Sequence, residues 1–187
     1  MIKRIILPKT YVLTDNASLI FLAGPIKGAP RWQDKGIETI HTINNQIYVV
    51  SPSNKVREEY LEDRLRGTKS DFPYQLNFER HYLKSASESK KGAIIFWLPK
   101  QREPMPINPE TDFTQPYARD TRPETAGWGW KLLESNPKAN VIVGGEEGFD
   151  GFDVIKRNFL AVKPDMKFYS TLEETCLEAI KLITLSK

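Results

Sequence analysis

The feature that most constrains this chain is the alternation of short apolar runs with stretches of helical periodicity. The apolar runs are too short for helices, and the first four end beside glycine or proline, so they predict buried strands. Strands that alternate with helices favour a parallel sheet with helices on both faces. The predicted strands are 19–23, 47–50, 93–98, 140–143 and 166–169.

Helical periodicity predicts helices at about 34–46, 72–87, 122–135 and from 170 onward. Pro123 suits the first turn of the third helix, and Ser170 with Glu173 has the spacing of a capping box at the start of the last. Right-handed crossovers then favour a flavodoxin-like or Rossmann-like three-layer sandwich, with five parallel strands in the order 2-1-3-4-5. We expect one domain over 1–187, with a small hairpin or an edge strand before Ile20.

Composition narrows the classes of partner. The 187 residues, 40% hydrophobic and 27% charged, are ordinary for a globular domain. No apolar run approaches the ~20 residues of a membrane span, and the N-terminal segment lacks the apolar core of a signal peptide. The net charge of +3 is small and dispersed, which argues against a nucleic-acid polymer as partner.

The single cysteine and the two histidines argue against a disulfide and against a zinc site. Cys176 falls on the apolar stripe of the last predicted helix, where we expect it to pack as a small core residue. With no export signal, we expect a cytoplasmic protein. The sequence predicts no metal and no other cofactor.

The predicted fold places a ligand site at one edge of the sheet. In open parallel sheets, ligands bind beyond the carboxyl ends of the strands, at the point where the strand order reverses. Here that point lies between strands 19–23 and 93–98, so the loops 24–32 and 99–121 should face it. Long loops such as 99–121 are usually functional or disordered. The charged segment 55–69 is expected to be irregular or a surface helix.

Two features follow the first predicted strand. Gly24, Pro25 and Gly28 form a turn that would let a ligand approach the backbone closely, and a plain tight turn is the alternative. Trp32, just ahead of the first helix, would either stack on an aromatic ligand such as a nucleobase or pack on the sheet edge.

Two glutamates are candidates for chemistry. Glu79 shares a helical face with apolar residues such as Leu83, and a carboxylate in that position needs a partner or a function. Gln75 lies one turn earlier, nearer the predicted site. Glu124 opens the third helix, whose N-terminus favours an ionised carboxylate, although first-turn glutamates are common in helices of any function.

The approach to Glu124 is crowded with polar side chains, namely those of Tyr117, Arg119, Asp120 and Arg122. Either arginine could hold a phosphate or orient a carboxylate through a two-pronged hydrogen bond. For both arginines, the alternative is a solvent-exposed charge on a loop.

Six segments carry a resemblance to known proteins. They are IFLAGPIKGAPRWQ (20–33), VVSPS (49–53), YQLNFERHYL (74–83), AIIFWLP (93–99), YARDTRPETAGWGW (117–130) and NVIVGGEEG (140–148). Their order and spacing resemble those of the nucleoside 2-deoxyribosyltransferase-like family, from about Ile20 to Phe159. Two departures stand out: Gly127 comes three residues after Glu124 where the family usually has two, and Ser89–Gly92 lacks the aspartate that the family often carries there.

The resemblance implies that Glu124 attacks the anomeric carbon of a nucleoside or nucleotide. The base would leave, a glycosyl ester would form on Glu124, and a second nucleobase or water would attack the same carbon, with net retention. Glu79 is the first candidate for contacting the base or handling its proton, and Asp120 is the second.

The same resemblance implies roles for the surrounding residues. Gln75 would read the base edge, Tyr117 would bond Glu124 or the sugar, and residues 24–28 would line the sugar side. The loop 99–121 would act as a lid that excludes water.

Transfer of a pentosyl group between nucleobases is therefore the expected function, in a homo-oligomer. Hydrolysis of the same N-glycosidic bond is the first alternative, and a non-catalytic nucleotide-binding module is the second. Trp128 and Trp130 would serve a subunit interface or pack internally.

Overall fold

The structure is a computed structural model and describes residues 4–8, 10–12, 14, 16–53, 68–69, 74–108, 110 and 113–185. Of the charged segment 55–69, only the last two residues fall within these ranges, so the expectation for the rest of it lies outside the described residues.

The strands follow the apolar runs closely. They are β1 (Ile5–Ile6), β2 (Thr10–Tyr11), β3 (Leu19–Ala23), β4 (Tyr48–Val50), β5 (Thr68–Lys69), β6 (Gly92–Leu98), β7 (Ile107–Asn108), β8 (Phe113–Thr114), β9 (Val141–Gly145) and β10 (Phe168–Tyr169).

The helices are α1 (Trp32–Ile43), α2 (Gln75–Glu88), α3 (Thr121–Thr125), α4 (Lys131–Ser135), α5 (Phe152–Val162) and α6 (Leu172–Leu185). A π-helical segment, Ala126–Trp130, joins α3 to α4 without a break.

In the described part of the chain, six strands form one open sheet in the order β1-β4-β3-β6-β9-β10, and every neighbouring pair is parallel. The five predicted strands are all present in the predicted order, which confirms the α/β class. The sheet has six strands where five were predicted, and the sixth, β1, is the edge strand that was one of the two expectations for the segment before Ile20. A separate antiparallel pair, β7–β8, lies within the long loop that follows β6.

Helices cover both faces of the sheet. The side chains of Ile20 and Leu22 point to one face, where they join a core with α1 and α6. The intervening Phe21 points to the other face, where it joins α2, α5 and the α3–α4 region through residues such as Phe78 and Phe159. This alternation is the period of two of a strand. Because both faces are covered, the central strands are buried along their whole length.

Two local predictions needed correction. Helix α5 was not predicted, although the parallel pair β9 and β10 requires a crossover between them. Its buried stripe is short, with Ile155 and Phe159 one turn apart. The capping box of α6 lies one residue later than expected: the Thr171 hydroxyl accepts a hydrogen bond from the Glu174 N–H at 3.2 Å and donates one to its carboxylate at 2.9 Å.

Cys176 is fully buried in the core against the sheet, as expected for a small apolar residue. Within the described ranges, no helix combines the length and the apolar character that crossing a membrane requires.

The turn after β3 depends on glycine. Gly24 has a φ of +151°, and a Cβ there would meet the carbonyl oxygen of Trp97 and lie 2.9 Å from the indole ring of Trp32. The chain can pass between β6 and Trp32 only because this residue has no side chain.

We expect Gly24→Ala to lower the free energy of unfolding by about 2–4 kcal/mol, from backbone strain and from the displaced Trp97 and Trp32. Gly127→Ala is the matched control, since a Cβ at Gly127 meets nothing within 4 Å and alanine favours helix. Urea denaturation of the two variants measures both effects. Equal stability of Gly24→Ala and the wild-type protein would contradict the argument.

Candidate active site

A cavity of about 810 Å³ opens at the carboxyl edge of the sheet. Five parts of the chain form its walls: the turn after β3, the residues after β4, one face of α2, Met105, and the stretch from 115 to 128. Its volume falls in the range of about 300–1,000 Å³ that is typical of sites for small molecules. The position agrees with the general placement of ligands in open parallel sheets.

Most of the residues singled out from the sequence lie on the walls of this cavity. They are Gly24, Pro25, Gln75, Glu79, Arg119, Asp120 and Glu124. Four others, Gly28, Trp32, Tyr117 and Arg122, lie behind the walls or beside the cavity.

Glu124 lies in the first turns of the helical stretch that begins at Thr121, with its side chain half-buried. Burial, then the carboxylates of Glu79 and Asp120, raise its pKa to about 8. No group of the described residues donates a hydrogen bond to its carboxyl. The helix start suggested an ionised Glu124 at neutral pH, but burial and two acidic neighbours outweigh that effect in the ligand-free chain.

Glu79 faces the same cavity from α2. The amide of Gln75 donates to its carboxylate at 2.8 Å and to the Pro52 carbonyl at 3.0 Å, so it fixes the carboxylate and ties α2 to the end of β4. Burial raises the pKa of Glu79, with a further rise from Asp120, although the Gln75 hydrogen bond lowers it. Because both amide hydrogens of Gln75 are used within the protein, only its carbonyl oxygen is left for the predicted contact with a base edge.

Trp32 does not have the stacking position suggested for it. Only 4% of its surface is exposed, and its indole N–H donates to the Pro25 carbonyl at 2.8 Å. A buried indole needs such an acceptor, and the turn after β3 supplies it. Trp32 therefore holds the cavity wall from behind.

Tyr117 also supports the walls. Its hydroxyl donates to the Pro99 carbonyl at 2.7 Å, so it holds the end of β6 and does not bond Glu124. Burial raises the pKa of the Tyr117 hydroxyl well above its usual range. Its ring lies against Gly28, which has a φ of +73° and whose carbonyl accepts hydrogen bonds from the N–H groups of Arg102 and Glu103 at 2.8 and 3.1 Å. The first part of the predicted lid is thus bonded to the turn after β3.

Arg122 braces the turn before α3. Its guanidinium donates to the Tyr117 carbonyl at 2.7 Å and to the carbonyl and carboxylate of Asp150 at 2.9 and 3.1 Å, and it lies over the ring of Phe149. These partners leave it poorly placed for the ligand contact proposed from the sequence. Arg119 is more exposed, bonds Asp120 at 3.0 Å, and stays on the cavity wall.

Trp128 and Gly127 also line the cavity and were not among the predicted site residues. The signal was present in the spacing, since Trp128 follows Glu124 by four residues and so shares its side of the helix. Trp130 packs edge to face on Phe159, with ring centroids 5.5 Å apart. The two tryptophans, grouped together from the sequence, therefore differ: one faces the cavity and the other faces the core.

The described residues contain no group of three or more His, Cys, Asp or Glu side chains arranged to hold a metal ion. The chain matches no protein-family model and no curated protein sequence.

The raised pKa of Glu124 makes stability depend on pH. Between its ordinary pKa of 4.5 and about 8, the folded chain binds a proton that the unfolded chain has released, so stability falls as pH rises through this window. We expect the free energy of unfolding of Glu124→Gln, taken relative to that of the wild-type protein, to rise by on the order of 2–4 kcal/mol from pH 5 to pH 9. Denaturant unfolding across that range measures the difference.

Glu134→Gln is the control, since Glu134 is an exposed glutamate on the adjoining helix α4. Parallel stability curves for the wild-type protein and Glu124→Gln would show that Glu124 has an ordinary pKa.

Proposed function

We propose that this protein transfers a ribosyl or deoxyribosyl group between nucleobases, with Glu124 as the covalent nucleophile. The observation that carries the proposal is a pair of carboxyl groups, Glu124 and Glu79, which face one cavity and have raised pKa values. Glycosidic bonds are cleaved by carboxyl pairs of this kind, one acting as nucleophile and one as acid. The resemblance of residues 117–130 to the glutamate segment of the nucleoside 2-deoxyribosyltransferase-like family supports the same assignment.

The walls of the cavity suit a nucleoside. Carboxyl groups and the backbone of the turn after β3 offer hydrogen-bond partners for sugar hydroxyls, whereas Leu83, Met105 and Trp128 offer apolar and aromatic surface for a base. An aromatic ring stacks on any nucleobase, so Trp128 is the proposed platform for the base.

In the first step, a carboxylate oxygen of Glu124 forms a bond to the anomeric carbon of the sugar. The bond from that carbon to the base nitrogen breaks, and its electron pair stays on the nitrogen. The carboxyl proton of Glu79 passes to the departing base, which leaves neutral. The products of this step are a pentosyl ester of Glu124 and an ionised Glu79.

In the second step, a nitrogen of an incoming base attacks the same carbon. The ester bond breaks and returns its electron pair to the Glu124 carboxylate. The N–H proton of the incoming base passes to Glu79, which restores the starting state. Two inversions leave the configuration at the sugar unchanged.

This sequence needs Glu124 ionised while Glu79 holds a proton. Burial and mutual repulsion raise the pKa values of Glu124 and Glu79, so the two glutamates together retain a proton near neutral pH. The positive charge that develops on the sugar in the transition state favours the arrangement in which Glu124 is the ionised member.

Hydrolysis is the second candidate, and the exposure of the cavity mouth favours it. Leu76 lines the cavity and is 52% exposed, so among the described residues this part of the wall is in contact with water. A second copy of the chain that covered this region would exclude water and so favour transfer over hydrolysis. The homo-oligomer expected from the sequence would supply such a copy. Release of free pentose without an acceptor base distinguishes hydrolysis from transfer.

We expect Glu124→Ala to lower the rate of base exchange between deoxyinosine and adenine by at least about 10³-fold, because the covalent route is lost. Mass spectrometry of the denatured wild-type protein, after mixing with deoxyinosine, should find a pentosyl adduct on Glu124. Glu134→Ala is the control. Exchange by Glu124→Ala at the wild-type rate would exclude the mechanism.

We expect Trp128→Ala to weaken the binding of free adenine about tenfold, since base–aromatic stacking contributes about 1–3 kcal/mol. Trp128→Phe should keep most of the affinity but lose the quenching of tryptophan fluorescence that adenine causes. Trp130→Phe, with its ring against Phe159, is the matched control and should keep both. Unchanged quenching in Trp128→Phe would place the base elsewhere.

A further inference from the structure

A second cavity of about 610 Å³ adjoins the first beyond the carboxyl ends of β6 and β9. Pro116 and Arg119 line both cavities, so the two cavities are neighbours and Arg119 lies at their shared wall. The rest of its wall includes Lys100, just after β6, and Gly148, in the loop after β9.

The charges around this second cavity leave an excess of positive charge. Its lining contains three cations, Lys100, Arg119 and Arg122, and one carboxylate, Asp150. Asp150 is bonded to Arg122, so the charges of these two residues offset each other.

Two acids outside the lining, Asp120 and Glu146, are also paired. Asp120 is bonded to Arg119 at 3.0 Å, and Glu146 to Arg102 at 2.8 Å. Glu146 also accepts the backbone N–H of Lys100 at 2.9 Å.

Of the three cations that line the second cavity, Lys100 is the one that these ion pairs do not include. Within the described ranges, its ammonium group makes no ion pair and no hydrogen bond. The Lys100 side chain lies beside Gly148: the ammonium nitrogen is 3.5 Å from the position that a Cβ of residue 148 would take, which is ordinary van der Waals distance. A free ammonium and an arginine on the wall of one recess favour an anionic group there.

We propose that the second cavity binds a phosphate group of the substrate, so that the protein prefers a nucleoside monophosphate to the nucleoside. This rests on the proposed function, because the sugar must lie beside Glu124 for its phosphate to reach past Arg119. Lys100 and Arg119 are then the residues that select the phosphorylated substrate.

The test compares kcat/KM for deoxyinosine monophosphate and for deoxyinosine, each with adenine as acceptor. We expect the wild-type protein to favour the monophosphate by at least about tenfold, and Lys100→Gln to lower this ratio about tenfold. Lys131→Gln, which changes an exposed lysine on α4, is the control and should keep the ratio. Equal kcat/KM values for the two substrates in the wild-type protein, or a ratio that Lys100→Gln leaves intact, would overturn the inference and leave the proposed function standing.

Binding measured by calorimetry separates the two proposals. We expect deoxyinosine monophosphate to bind the wild-type protein more tightly than deoxyinosine, and Lys100→Gln to remove the difference. If this pattern appears while neither compound is turned over, the phosphate site stands and the proposed function fails. If Lys100→Gln does not change the binding of the monophosphate, the phosphate site fails.

Discussion

Burial of two carboxyl groups at one cavity, with repulsion between them as a second contribution, is the constraint on which the rest of the site depends. Glu124 and Glu79 are both partly withdrawn from water, and Asp120 adds negative charge at the same place. Burial disfavours the ionised forms of Glu124 and Glu79, and the negative charge of Asp120 adds a smaller contribution. A proton is therefore held at the site near neutral pH, and cleavage of an N-glycosidic bond needs such a proton for the departing base.

Hydrogen bonds from other polar side chains hold in place the segments around these acids. The Trp32 indole holds the turn after β3, and the Tyr117 hydroxyl holds the end of β6. Arg122 ties the turn before α3 to the loop after β9. Each of these side chains looked like a ligand contact in the sequence, and each satisfies a backbone carbonyl of the protein. Loops lack the regular backbone hydrogen bonds of strands and helices. Loops that form one wall of a ligand site therefore need side-chain hydrogen bonds on the side facing away from the ligand.

The sequence predicted the sheet, its covering helices and the location of the cavity better than the roles of single residues. The buried strands were visible because a short run of apolar residues between turn signals is typical of a strand covered on both faces. The edge strand β1 has only two paired residues, and the stripe of α5 is short, so their signals were weak. For Trp32 and Tyr117, the sequence indicates a ring with a polar group but not the partner that the polar group will find. That partner is set by how distant loops meet, as when Gly28 accepts hydrogen bonds from residues far along the chain.

The π-helical segment after Glu124 gives a physical account of one departure from the resembled pattern. Gly127 follows Glu124 by three residues where the resembled family usually has two, which is an excess of one residue within a helix. A π turn takes up one extra residue by bonding five residues back, and here the Lys131 N–H bonds the Ala126 carbonyl. Under the proposed resemblance, a π turn at this place would absorb the extra residue after Glu124 and leave the start of the helix unshifted. The same turn places Gly127 and Trp128 on the cavity wall, where Gly127 has open space beside it. It also places Gly129 in close contact with the ring of Phe159.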